Sequence, residues 1–148
     1  MDGRSAIEAL IFEYAERIDR GDFAGVGELF AEGALTGPDG RELARGAAGV
    51  RALYERTTRR YEDGTPRTKH LTTNVRVELD EARGEATARS AFTVFQALPG
   101  FPLQPIVAGR YEDRFAREDG RWAFRERRMV VELVGDLSRH LLFELERR

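Results

Sequence analysis

The stretch that decides the fold is KHLTTNVRVEL, residues 69–79. Leu71, Val75, Val77 and Leu79 fall on one parity, and His70, Thr72, Asn74, Arg76 and Glu78 on the other. A period of two predicts a strand with one buried face. Upstream the period is helical. Ile7, Ile11, Tyr14 and Ile18, with Leu10 beside them, form a single stripe through about residue 20. Ser5 followed by Glu8 has the spacing of a capping box at its start. Gly21 can stop this helix and Asp22 can cap a second one that turns Phe23, Val26, Leu29 and Phe30 inward. The turn Pro38-Asp39-Gly40, between Leu35 and Leu43, predicts a small hairpin. Val50, Leu53, Tyr54, Thr57 and Tyr61 then mark a third helix.

Downstream of the deciding stretch, Asp80 to Gly84 reads as a turn and 85–97 as a second strand containing Phe92, Val94 and Phe95. Pro99-Gly100-Phe101-Pro102, with Pro105, suggests a longer connection. Strand 106–117 places Tyr111, Asp113 and Phe115 on one face, and Asp119-Gly120 is a strong two-residue hairpin signal. The last strand, from Arg121 to about Leu133, carries Trp122 and Phe124. Ser138 is expected to cap a short final helix with Leu141, Leu142 and Leu145 inward. Three helices, a four-stranded antiparallel meander and a short tail give an α+β class, with the helices packed on one sheet face.

At 148 residues the chain fits one domain, residues 1–148, with a single core. The hydrophobic share of 41% and charged share of 34% are those of an ordinary folded protein. No apolar run reaches the roughly 18 residues of a membrane span, and no targeting segment is visible. The cytoplasm is therefore the expected location. The absence of cysteine excludes disulfides, thiolate nucleophiles and zinc–thiolate sites. Net charge is −2 and the basic residues are scattered singly, so nucleic acid is not an expected partner. No phosphate loop, HExxH or nucleophile elbow is present, and with two distant histidines no metal site is expected.

The stretches YAERIDRGD (14–22) with Leu29-Phe30, KHLTTN (69–74), GRYEDRF (109–115) and DGRWAFRER (119–127) follow one another in an order that resembles the SnoaL-like, polyketide-cyclase-like branch of the nuclear transport factor 2 superfamily. The resemblance implies a cone-shaped, curved antiparallel sheet packed against three N-terminal helices, a deep and largely apolar cavity, and commonly a dimer. It does not imply one reaction, because a fold that hosts many activities assigns none.

The resemblance to the scytalone-dehydratase-like members implies a catalytic dyad of Asp19 and His70. A carboxylate that fixes the tautomer of an imidazole and supports its charged form makes a general base near neutral pH. The residues alone leave an alternative open. Asp19 lies on the flank of its helix, and His70 falls on the polar parity of its strand, so it points away from the helices unless a bulge reverses the start of the strand. The dehydratases also use a second pocket histidine from a later strand. Here 85–97 has none, and the other histidine, His140, lies in the tail.

Asp113, on an aromatic face, is a second acid–base candidate; the alternative is an ion pair with Arg127 or Arg110. Tyr14, Tyr54, Phe92 and Trp122 are candidate walls for a flat ligand, or plain core. Asn74 is a candidate hydrogen-bond donor to a ligand oxygen, or a polar strand residue. The leading expectation is a cofactor-independent lyase, isomerase or cyclase acting on a small apolar or polycyclic carbonyl compound. The rivals are a ligand-binding or dimerising module without catalysis, and an accessory subunit of an oxygenase. A homodimer built on the open sheet face, where Thr93 and Phe95 point, is also expected.

Overall fold

Asp2, not Ser5, caps the first helix in the computed structural model, which describes residues 1–145. The Asp2 carboxylate accepts the Ser5 N–H at 2.8 Å, so Ser5 sits inside α1 (Gly3–Asp19) and the expected capping box does not form. Gly21 ends this segment in the left-handed region, at φ +73°. A Cβ there would lie 1.9 Å from the Gly64 carbonyl oxygen, so no other residue fits. Asp22 caps α2 (Phe23–Leu29) by accepting the Gly25 N–H at 2.9 Å.

The hairpin of β1 (Ala34–Thr36) and β2 (Glu42–Arg45) leads into α3 (Gly46–Thr57). Then come β3 (Thr68–Asp80), β4 (Glu85–Leu98), β5 (Phe101–Glu118) and β6 (Arg121–Val134). The small hairpin does not stand apart, as the four-stranded meander implied. Its β1 pairs in parallel with β6, Leu35 against Arg127, giving one six-stranded sheet in the order β2-β1-β6-β5-β4-β3. All other pairings are antiparallel. The helices cover one face, and Ile7, Ile11, Ile18, Val26 and Phe30 bury themselves against Phe115 and Phe124 of the sheet.

Two local departures matter for the site. Between Thr73↔Ala91 and Arg76↔Arg89, β3 advances three residues while β4 advances two. The extra residue is a β-bulge, with Asn74 at φ +54°. It reverses the parity of the strand. Val77 and Leu79 turn toward the helices beyond it, whereas before it His70 and Thr72 turn inward and Leu71 is left 41% exposed. The second departure is in β5, which begins at Phe101, not at residue 106. The register slips around Phe95↔Pro105, which lets a strand hold prolines that cannot donate to the ladder.

The expected final helix is replaced by an irregular strap with a single turn at 138–140. Both the N–H and the hydroxyl of Ser138 bond to Asp136, so Ser138 caps no helix. The strap instead joins the end of α3. The Arg59 N–H donates to the His140 carbonyl at 2.8 Å, and the Leu142 N–H donates to the Thr57 carbonyl at 2.9 Å. Leu142 is left 48% exposed rather than inward.

Candidate active site

Asp19 is the last residue of α1. A carboxylate there faces the negative end of the helix dipole, which costs a few tenths to about 1 kcal/mol. Helix stability therefore does not explain it, but its partners do. Its Oδ1 meets His70 Nδ1 at 2.6 Å and accepts the Thr68 hydroxyl at 2.9 Å, while Oδ2 accepts the His70 N–H at 2.7 Å. A carboxylate oxygen that accepts fixes His70 Nδ1 as the donor of this bond and leaves Nε2 for other partners. The bulge at Asn74 is what turns this ring inward.

His70 separates two hollows. On one side is an open groove that holds Asp19, Thr68 and Phe12. On the other is an apolar cavity of about 240 Å3 between helices, sheet and strap. No charged side chain lines this cavity among the described residues. Larger depressions, of about 750 and 570 Å3, are lined mainly by charged side chains, and His70 lines neither.

Tyr14, Tyr54 and Phe92 reach the cavity as expected, joined by Tyr111, which stacks on Phe92 at 4.5 Å. The Tyr14 and Tyr54 hydroxyls hydrogen-bond each other. Burial pushes all three tyrosine pKa values up, well above normal for Tyr54 and Tyr111; Arg127 opposes the rise at Tyr14.

His140, set aside in the sequence as a tail residue, is brought by the strap into the same cavity. It is 7% exposed, and its ring lies 6.5 Å from that of His70. Its Nδ1 has no hydrogen-bond partner among the described residues. Burial, and then the neighbouring His70, push its pKa down to about 4, so it is neutral at ordinary pH. Gln96, also overlooked in the sequence, anchors the strap from the core by donating to the carbonyls of Pro66 and Arg139 at 3.0 and 3.1 Å. Thr68, which fixes Asp19, was hidden too: a threonine opening a strand carries no distinguishing signal.

Three expected ligand contacts do not line the cavity. Asn74 occupies the bulge and is exposed. Trp122 lies elsewhere on β6, where the Arg117 guanidinium sits 5.3 Å from its ring. Asp113 is locked to Arg127 by two bonds of 2.9 Å, with both side chains fully buried; this is the ion-pair alternative. Burial pushes the Asp113 carboxyl up even against Arg127. Burial also opposes charge on Arg127, but the carboxylate beside it more than offsets this and holds its pKa above the usual arginine value.

The model of the SnoaL-like domain family matches residues 1–128. The chain belongs to the SnoaL-like family. The strap that carries His140 lies beyond the matched residues. Among solved structures, the chain resembles a single-residue variant of Rv3472 from Mycobacterium tuberculosis, described as of unknown function. The identity is 29% and the TM-score 0.71, over 88% of this chain and 72% of that one. An NTF2-like protein with a cystatin-like fold from Novosphingobium aromaticivorans matches at 22% identity and TM-score 0.71, over 86% and 80% of the two chains. A protein of the same organism, provisionally assigned as a scytalone dehydratase, matches at 19% and 0.70, over 97% and 89%. At such identities the last two speak for the fold alone, and the fold is the NTF2-like one. No match emerges among curated proteins.

Proposed function

We propose that this SnoaL-like chain is an acid–base enzyme that removes a proton next to the carbonyl of a small, uncharged, mainly apolar compound. The carrying observation is a carboxylate hydrogen-bonded to Nδ1 of an imidazole that itself walls an apolar cavity. His70 Nε2 takes the proton. Asp19 holds the ring in the right tautomer and supports the imidazolium, as expected of a general base and its orienting acid. In the Tyr14–Tyr54 pair one hydroxyl donates to the other, and the one that accepts has its own proton to donate toward the oxygen where negative charge develops. Neutral His140 stands opposite as a second polar contact for the ligand. The lack of charged groups in the wall favours a neutral ligand, because a buried ion without a partner is costly. The product outcome, lyase, isomerase or cyclase, depends on what leaves or closes after the proton is gone.

The reading is tested by proton exchange. Small neutral aromatic ketones such as 1-tetralone and 2-tetralone are incubated with the protein in heavy water, and loss of the proton signals beside the carbonyl is followed by NMR. The wild-type protein should speed the exchange above the buffer rate, and His70→Ala should not. Ketones that bind in ligand-observed NMR but exchange no faster than in buffer would instead favour a binding module without catalysis.

A further inference from the structure

Arg127 is the largest fully buried side chain of the protein, and the proton chemistry above gives it no task. Its Nε and Nη2 grip Asp113, while Nη1 has no hydrogen-bond partner among the described residues. The guanidinium carbon lies 3.7 Å from the centre of the Tyr111 ring, 4.3 Å from that of Tyr14 and 5.1 Å from that of Phe124. Aromatic faces attract a cation most strongly where water is excluded. Replacing a buried pair by apolar residues of similar volume is often neutral or stabilising, so core stability alone is weak grounds for this one.

We propose that the Asp113–Arg127 pair positions charge beneath the cavity's tyrosines, making Tyr14 the stronger donor of the Tyr14–Tyr54 hydroxyl pair and therefore the hydroxyl that steadies a negatively charged ligand oxygen. A fixed positive charge favours the ionised form of a nearby phenol and strengthens its O–H as a donor. Tyr14 receives that influence at short range. Tyr54, on α3, feels the same cation, but its own burial and the neighbouring Tyr14 work against its ionisation more strongly. The groups that face Tyr14 are Tyr54 from α3, Tyr111 and Asp113 from β5, and Arg127 and Met129 from β6. Of these, Arg127 alone is positive. Asp113 opposes it, but with a smaller effect on Tyr14 than the guanidinium 4.3 Å from the ring has. Arg127 is thus a positioning residue that touches no ligand.

This inference rests on the cavity being an acid–base site, but its test reads tyrosine ionisation and not turnover, so the two fail separately. The protein has four tyrosines. They are replaced by 3-fluorotyrosine, whose lower pKa keeps the titration below unfolding pH, and assigned by single Tyr→Phe variants. Fluorine NMR should show Tyr14 ionising before Tyr54. In Arg127→Met combined with Asp113→Leu, the Tyr14 midpoint should rise by about one pH unit or more, a tenfold change in acidity, while Tyr61 stays put. Arg127→Lys, which keeps the charge, should fall between the two. A merely structural pair would alter stability and leave the midpoint where it was. Tyr54 ionising before Tyr14 in the wild-type protein would overturn the proposal. So would an unmoved Tyr14 in a double variant that folds normally by circular dichroism. If that variant does not fold, the wild-type order decides alone.

Discussion

The imidazoles of His70 and His140 meet at 64° with their centres 6.5 Å apart. One ring is held by a carboxylate, and the other is buried with a ring nitrogen that has no partner among the described residues. The cavity thus has one histidine fixed through Nδ1 and one kept neutral by burial.

The neutrality of His140 sets a pH dependence of stability. Its folded pKa is depressed from 6.5 to about 4, so the unfolded chain takes up the proton first as pH falls. The contribution is fully present above about 6.5 and is lost between there and about 4. At 1.36 kcal/mol per unit, the loss is on the order of 3 kcal/mol. Urea midpoints at pH 7 and pH 4.5 should show it, and His140→Leu should flatten the difference relative to the wild-type protein. Equal slopes in the two proteins would contradict the buried neutral ring.

Loss of the general base should dominate any activity. His70→Ala is expected to lower the rate about a hundredfold to ten-thousandfold, measured as turnover of whichever ketone the exchange assay identifies. Asp19→Asn should cost less, because an amide can still hold the ring without supporting its charge. With His140 in the cavity wall, His140→Ala should also lower the rate, by less than His70→Ala does. A wild-type rate in folded His70→Ala would remove the mechanism.

Gly109 faces Phe92 across the sheet, and a Cβ there would lie 2.1 Å from the Val130 carbonyl oxygen and 2.9 Å from Phe92. Overpacking of this kind typically costs about 1–3 kcal/mol. Gly109→Ala should lower the chemical denaturation midpoint accordingly and, by displacing Phe92, weaken ligand binding as well. A variant as stable as the parent would show that the strands part easily at this point.

The outer sheet face carries Thr93 and Phe95, both half-buried, among charged pairs such as Arg114–Glu126 and Arg110–Glu132. We expect two copies to pack through this mixed face, as isologous interfaces do. Light scattering at micromolar concentration should give twice the 16.8 kDa chain mass. A species of only one chain mass would count against it.

Although the helix expected from Ser138 does not form, the three N-terminal helices, the strands and the hairpin turns were legible because periodicity and turn chemistry act locally. So was the ion pair of Asp113, since Arg127 stands opposite it on the neighbouring strand. His140 was not legible, because its place depends on where a strap without periodicity docks, through the carbonyls of Thr57 and His140 itself. Asn74 was misplaced because strand parity assigns a side chain to a face only while the ladder is unbroken, and a bulge interrupts it at Thr73/Arg76 in β3. Trp122 keeps the parity of Phe124 and packs against the core, but it lies near the start of β6, whereas the cavity is lined by Met129 and Val131 further along.

The bulge at Asn74 makes the candidate site depend on chain length more than on side-chain chemistry. An exposed residue at φ +54° is a position where glycine serves as well as asparagine, so Asn74→Gly should be nearly silent. Removing the residue outright takes out no ligand contact, yet it throws the first half of β3 out of phase and sends the His70 ring toward solvent. The coding sequence would therefore tolerate many changes of letter at this codon and not the loss of the codon. A phase error, in which every other residue of the site is retained, would be enough to disarm it.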